Sequence, residues 1–180
     1  MKNDLKSILI DEETLRQKVK ELGEQISEDY AGKNPLFIGI LKGSVVFLSD
    51  LMRYTDIPLN IDFMSVSSYG AATESSGVVR ILKDLDTAVS GRDILIIEDI
   101  LDSGLTLDYL IRILEERSPS SIRLCVLLHK NKSSGRQLSR KVDYLGFEIE
   151  DEFVVGYGLD YDETYRNLPY VAVLKDEVYS

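Results

Sequence analysis

Ile94-Leu95-Ile96-Ile97-Glu98-Asp99-Ile100-Leu101-Asp102-Ser103-Gly104-Leu105-Thr106 is the stretch that organises this chain. Four consecutive branched apolar residues between charged neighbours describe a strand buried on both faces, as in a parallel sheet. The strand runs into three carboxylates within five residues, Glu98, Asp99 and Asp102. Clustered carboxylates repel one another and each resists desolvation, so the placement is costly unless the charges meet a ligand. The turn Asp102-Ser103-Gly104-Leu105-Thr106 then offers backbone N–H groups, two hydroxyls and the positive end of a helix dipole, which together suit a phosphate monoester. Acids just before such a turn suit sugar hydroxyls or a magnesium ion. A phosphate, a polyol and a divalent cation together describe a sugar phosphate. Taken one at a time, the residues also allow a plainer account, in which Asp102 or Ser103 caps a helix and Glu98 and Asp99 are exposed where the strand surfaces.

Outward from this centre, Leu107, Leu110, Ile111 and Leu114 mark one face of a helix over 105–116, and 122–128 is a second buried strand. Strand, helix, strand with short connections is a βαβ unit, so the sheet is at least partly parallel and a ligand belongs at the carboxyl ends of its strands. Upstream, Leu15, Val19, Leu22, Ile26 and Tyr30 recur at helical spacing over 11–30, ending at Gly32 and Pro35. Residues 36–41 form a continuous apolar run expected as another doubly buried strand, followed by a helix over 44–54. Ile57, Leu59, Ile61 and Phe63 alternate with polar or turn residues, which predicts a strand with one wetter face. The small and hydroxyl residues of 65–77 have no hydrophobic period and read as a mobile loop or a passive connector. Further strands are expected at 78–82, 142–147, 153–155 and 170–174.

The chain has 180 residues, 44% of them apolar and 29% charged, enough to bury a large core as a single domain over 1–180. Its 21 Lys and Arg against 31 Asp and Glu give a net charge of −10, which disfavours nucleic acid and anionic lipid as partners. The single cysteine, Cys125, lies in an apolar run and reads as a buried strand residue, consistent with a reduced, cytoplasmic setting. No apolar stretch approaches the length of a membrane span, and residues 1–10 lack the features of a secretory signal. His129 is the only histidine, which excludes a histidine-based triad or zinc centre.

The stretch 94–106 resembles the phosphoribosyl pyrophosphate (PRPP) signature of type I phosphoribosyltransferases: four apolar residues, two acids, two apolar residues, Asp, Ser or Thr, Gly, any residue, Thr. More specifically, the chain resembles the hypoxanthine-guanine branch, because further segments fall in that family's order. These are Leu41-Lys42-Gly43-Ser44, Ser68-Tyr69-Gly70, Leu127-Leu128-His129-Lys130, Val142-Asp143-Tyr144-Leu145-Gly146-Phe147, Asp151-Glu152-Phe153-Val154-Val155-Gly156-Tyr157-Gly158-Leu159-Asp160-Tyr161 and Arg166-Asn167-Leu168-Pro169-Tyr170. The resemblance implies an α/β fold with a central, mostly parallel sheet flanked by helices and a small hood formed by terminal segments. The implied reaction is magnesium-dependent transfer of the 5-phosphoribosyl group from PRPP to hypoxanthine or guanine, giving IMP or GMP and pyrophosphate.

The same resemblance implies the site. Asp102 would be the general base, and Asp102, Ser103, Gly104, Leu105 and Thr106 would bind the 5-phosphate. Glu98 and Asp99 would hold the ribose hydroxyls directly or through Mg²⁺, with Asp160 near the metal and the purine. Lys42, Gly43 and Arg166 would bind pyrophosphate. Lys130 would donate to the purine 6-oxo group, a choice that disfavours adenine, whose amino group donates instead. Phe153 would stack on the base, the backbone of Val154 would read its polar edge, and Ser68 and Tyr69 would close over the site. A homodimer or homotetramer is implied as well, with apolar residues of 48–54 available to an interface. Two other readings stay open at this level: a xanthine-preferring phosphoribosyltransferase, and an RNA- or DNA-binding regulator that uses the same fold to sense PRPP or a nucleotide. The second would call for a basic face or an added domain, and neither is evident in the sequence.

Overall fold

The computed structural model describes residues 1–68, 79–131 and 138–179, with only the backbone described at Ser68 and Val79. Its elements, in order, are a 3₁₀ turn (Lys2–Asp4), β1 (Leu5–Ile10), α1 (Glu12–Asp29), β2 (Leu36–Leu41), α2 (Val45–Tyr54), β3 (Asn60–Ser68), β4 (Val79–Lys83), β5 (Asp93–Leu101), α3 (Leu105–Glu115), β6 (Ser121–Lys130), β7 (Tyr144–Ile149), β8 (Val154–Val155), β9 (Val171–Leu174) and α4 (Asp176–Tyr179). The Asp11 carboxylate caps α1 by accepting from the Thr14 N–H at 2.8 Å, satisfying a donor that the helix itself leaves unpaired. Among the described residues no helix is long and apolar enough to cross a membrane.

Six strands form the main sheet in the order β4-β3-β2-β5-β6-β7. All neighbours are parallel except β4, which runs antiparallel to β3 at the edge. From β2 the chain proceeds through α2 to β3 on one side, and from β5 through α3 to β6 on the other. The two directions part between β2 and β5, so the switch point of the sheet opens at the carboxyl ends Leu41 and Leu101.

Alternation within the central strands divides the core between the two faces. Phe37, Leu95, Ile97, Cys125 and Leu127 pack under α1 and α2, against Leu15, Val19, Leu22, Ile26, Phe47, Leu48 and Leu51. Leu36, Ile38, Ile94, Ile96, Leu124 and Val126 turn to the other face and meet Leu107, Leu110, Ile111 and Leu114 of α3. Cys125 is fully buried, and burial pushes its thiol pKa far above the ordinary value. Leu48 and Leu51 are buried in the chain's own core, so of the apolar residues of 48–54 only Met52 and Tyr54 keep surface available to an interface. A second, antiparallel sheet of order β1-β9-β8 joins the beginning and end of the described chain and forms the hood.

Two sequence expectations are corrected in β3. The strand extends through Ser68 into the segment expected to be a loop, and residues 69–78, including Tyr69, lie outside the described residues. The wetter face is also reversed. Ile61 is 42% exposed, whereas Asp62, on the opposite face, is 6% exposed. Asp62 is accommodated because its carboxylate is surrounded by donors: the N–H groups of Phe63 (2.7 Å), Asp86 (2.9 Å) and Thr87 (2.8 Å), with the Lys83 ammonium at 3.6 Å. Burial opposes the charge, but these hydrogen bonds and Lys83 outweigh it and hold the Asp62 pKa below the ordinary carboxylate value. The carboxylate thereby pins the segment after β4 to the sheet.

Asp62→Ala would leave those amides buried without acceptors, and a destabilisation of about 1–3 kcal/mol is expected from chemical denaturation at pH 7. Because the folded-state pKa is lowered, the stabilisation by the ionised group is complete above the unfolded-state pKa and is lost as pH falls through the folded value. The stability gap between the wild type and Asp62→Asn should therefore be largest near neutral pH and close below pH of about 4. A gap independent of pH would show that the charge of Asp62 contributes nothing.

Candidate active site

At the switch point lies a cleft of about 300 Å³, lined by the ends of β2 and β5, the turn into α3, Asp160 and Arg166. Two further residues after β2, Lys42 and Gly43, form its wall, and the Leu41–Lys42 peptide there is cis. Gly43 passes directly over the carboxylate of Asp99: a Cβ at position 43 would lie 1.7 Å from Asp99 Oδ2. Only glycine permits this approach.

The first two acids of the stretch lie in the last residues of β5 before its end at Leu101, part-buried and lining the cleft. Burial is the main cause that raises the pKa of both carboxyl groups, and their proximity raises that of Glu98 further. For Asp99 the Ile100 N–H, donated at 3.0 Å, and the nearby Arg166 partly oppose the rise. Glu98 Oε2 is shut off from solvent and has no hydrogen-bond partner among the described residues. A buried carboxylate oxygen lacking a donor is expensive, and two adjacent hard oxygen donors facing a cleft fit a divalent cation such as magnesium. Asp160 is not part of one ligand set with them. Its Oδ1 meets Arg166 at 2.9 Å and its Oδ2 accepts from the Glu163 N–H at 2.9 Å. No group of three or more His, Cys, Asp and Glu side chains arranged to hold a metal occurs among the described residues. Two oxygen donors, from Glu98 and Asp99, are what the described residues bring together for a divalent cation in this cleft.

The turn after β5 differs from a capped helix start. Gly104 occupies the cap position of α3 in a left-handed conformation (φ 72°), and no side chain caps the helix. Asp102 and Ser103 are both exposed on the cleft. The cap position itself is Gly104 rather than Asp102 or Ser103, and the start of α3 presents its dipole to the cleft. Thr106 lines the cleft, and Leu105 is not among its lining residues.

The cations are held from across the cleft. Lys42 Nζ donates to Glu163 at 2.8 Å, and Arg166 donates to the Gly158 carbonyl at 2.8 Å and reaches Glu163 at 3.4 Å. Glu163 thus sits between both cations, and chiefly its hydrogen bond with Lys42 lowers its pKa. The sequence reading missed Glu163; an acid three residues before Arg166 was its only signal. Lys130 ends β6 with its ammonium 3.9 Å from Asp102 and 3.3 Å from Asp151, which brings it to the acid of the turn.

Phe153 and Val154 do not line this cleft. Val154 is buried in β8. Phe153, just before β8, is partly buried among the rings of Tyr161 and Tyr179 in the hood. A larger cavity of about 480 Å³ lies behind the cleft between α1, α2 and residues 166–169, sharing only Arg166 with it and containing none of the β5 acids.

A family model described as phosphoribosyl transferase domain matches residues 7–162. A hypoxanthine-guanine phosphoribosyltransferase of Bacillus subtilis (strain 168) is 56% identical over 179 residues, covering 99% of this chain and 98% of the relative. One of Streptococcus thermophilus (strain CNRZ 1066) is 49% identical over 180 residues, covering 100% and 99%. The crystal structure of a hypoxanthine phosphoribosyltransferase from Staphylococcus aureus superposes with a TM-score of 0.94 at 50% identity, covering 100% of this chain and 97% of that one. With the strand–acid–turn stretch at the switch point and this match over most of its length, the chain belongs to the phosphoribosyl transferase family.

Proposed function

We propose that this protein is a purine salvage enzyme that transfers the 5-phosphoribosyl group of PRPP to hypoxanthine or guanine, giving IMP or GMP and pyrophosphate. The observation that carries this reading is the convergence, at one switch point, of the pair Glu98 and Asp99, the glycine-capped start of α3 and the Lys42-Gly43 wall. Relatives named for this reaction at about half identity over the whole chain support it. Neither a xanthine-preferring enzyme nor a nucleic-acid-binding regulator is favoured. A net charge of −10 leaves little basis for the latter.

In this reading Asp102, Ser103, Gly104, Leu105 and Thr106 receive the 5-phosphate, with backbone N–H groups and the α3 dipole balancing its charge. Leu105 would contribute through its backbone alone. Glu98 and Asp99 hold the ribose hydroxyls or a Mg²⁺ ion, which when bound neutralises charge on the departing pyrophosphate. Lys42, Gly43 and Arg166 face the pyrophosphate, and Glu163 gives way to it. A purine ring nitrogen forms its bond to C1 as the C1–O bond to pyrophosphate breaks and pyrophosphate leaves with the electron pair. The proton displaced from the purine passes to the Asp102 carboxylate, which lies beside Lys130. Lys130 donates to the 6-oxo group, the backbone of Val154 reads the polar edge, Phe153 stacks on the base and Asp160 lies beside it. Ser68 and Tyr69 would close over the reacting carbon to exclude water.

Residues 1–180 act as a single phosphoribosyltransferase domain, since β9, beyond the matched region, pairs with β1. A cytoplasmic homodimer or homotetramer is the expected assembly. A free, buried cysteine is compatible with a reducing compartment.

Assays of IMP, GMP, XMP and AMP formation from PRPP, each purine and Mg²⁺ should show efficient IMP and GMP synthesis. Asp102→Asn should lower turnover by about 10²-fold, within the usual contribution of a general base, with smaller effects on KM. Unchanged turnover would remove Asp102 from the proton transfer. Gly43→Ala, whose new methyl would collide with Asp99, should lower kcat/KM for PRPP by roughly 10²-fold, the scale of a displaced binding segment. Wild-type kcat/KM for PRPP in that variant would refute the role assigned to the Lys42-Gly43 wall.

A further inference from the structure

Phe153 is a partly buried ring of the hood, packed between two other aromatic rings. One of its faces is covered by Tyr179 of α4, with ring centroids 4.7 Å apart and planes inclined by 20°. Tyr161 meets it at 5.5 Å and 88°, an edge-on contact. Both are favourable aromatic geometries. Tyr179 thus occupies one face of the ring, and Phe153 as a whole remains only partly buried.

The arrangement is fixed by backbone as well as by rings. The Leu174 N–H donates to the Phe153 carbonyl at 3.0 Å, which ties the end of β9 to the residue whose ring is stacked. The Lys175 N–H donates to the Asp4 carbonyl at 3.0 Å, and the Val178 N–H donates to the Lys175 carbonyl at 3.0 Å. Val178 joins the same apolar cluster as Phe153. The Tyr179 hydroxyl donates to Asp176 within α4 at 2.8 Å, so its polar end is satisfied without turning the ring away.

We propose that Tyr179 is a positioning residue for the purine: its ring backs Phe153 on the face away from the base and holds Phe153 in the orientation that stacks on it. This rests on the reading of Phe153 as the base-stacking residue. A planar ligand gains most from a ring already fixed in place, because a freely rotating ring loses that freedom on binding. Tyr179 and Tyr161 meet that cost during folding.

The test uses the full chain and compares Tyr179→Ala, Tyr179→Phe and Phe153→Leu in steady-state kinetics with both substrates varied, alongside thermal midpoints. Tyr179→Ala should raise KM for hypoxanthine roughly three- to tenfold, the scale of one ring–ring contact, with KM for PRPP and turnover little changed. Tyr179→Phe, which keeps the ring and loses the hydroxyl, should restore the wild-type value. Three results would overturn the proposal. A lower KM for hypoxanthine in Tyr179→Ala would mean that the ring occupies the face the base needs. KM for both substrates rising together with a lower thermal midpoint would mean a general structural role. An unchanged KM for hypoxanthine in Tyr179→Ala, beside a raised one in Phe153→Leu, would leave Phe153 as the stacking residue and remove Tyr179. If Phe153→Leu itself left KM for hypoxanthine unchanged, the base-stacking reading would fail first and this inference with it.

Discussion

Two adjacent carboxyl groups are partly withdrawn from solvent near the end of a central strand, and much of the molecule is arranged around that cost. Burial disfavours their ionised forms and raises the pKa of both Glu98 and Asp99. A strand that merely filled a core would not end this way. β5 tolerates it because it is flanked on both sides by parallel neighbours, β2 and β6. Its preceding residues, Ile94 to Ile97, are wholly enclosed, so each stabilises the fold by roughly 1.5–3 kcal/mol relative to an exposed side chain. The remaining neighbours fit themselves to the pair. Gly43 lacks a side chain where Asp99 comes close, and Arg166 approaches from the hood side to reduce the rise of the Asp99 pKa.

The fold was legible where burial imposes a pattern that adjacent residues can carry. β2, with continuous burial, occurs where the apolar run places it, and α1, α2 and α3 start and stop within a residue or so of the expected bounds. β1 was not read as a strand at all. Four of its six residues are exposed, and its partner β9 lies more than 160 positions away, so no local alternation marks it. α4 is one turn long and has no buried residue to signal it. In β3 the polar Asp62 faced inward because its donors come from after β4, a pairing that spacing along the strand does not encode.

The site divides along the same line. Glu98, Asp99 and the turn 102–106 are contiguous in sequence and were legible together, because their charges and small residues make physical sense only as one anion- and cation-binding unit. Lys42, Gly43, Asp160 and Arg166 join them only in the folded chain. Their selection depended on family resemblance, and the geometry then supplied the physical reason for Gly43. Glu163 and Tyr179 were invisible in sequence because each acts through a contact with a residue remote from its own segment, Lys42 in one case and Phe153 in the other.

That division also explains why the hood is made from both ends of the described chain. The main sheet sets the cleft at its switch point, where strands cannot shift without breaking the core. β8 contributes only two residues, and the stacked aromatic cluster around Phe153 is partly exposed. Yet β9 connects this cluster by hydrogen bonds to β1 and to the Phe153 carbonyl itself. The hood therefore combines ordered backbone with rings that remain partly exposed. The acids and the turn of the cleft belong to a central strand of the larger sheet, and the aromatic cluster belongs to the smaller one.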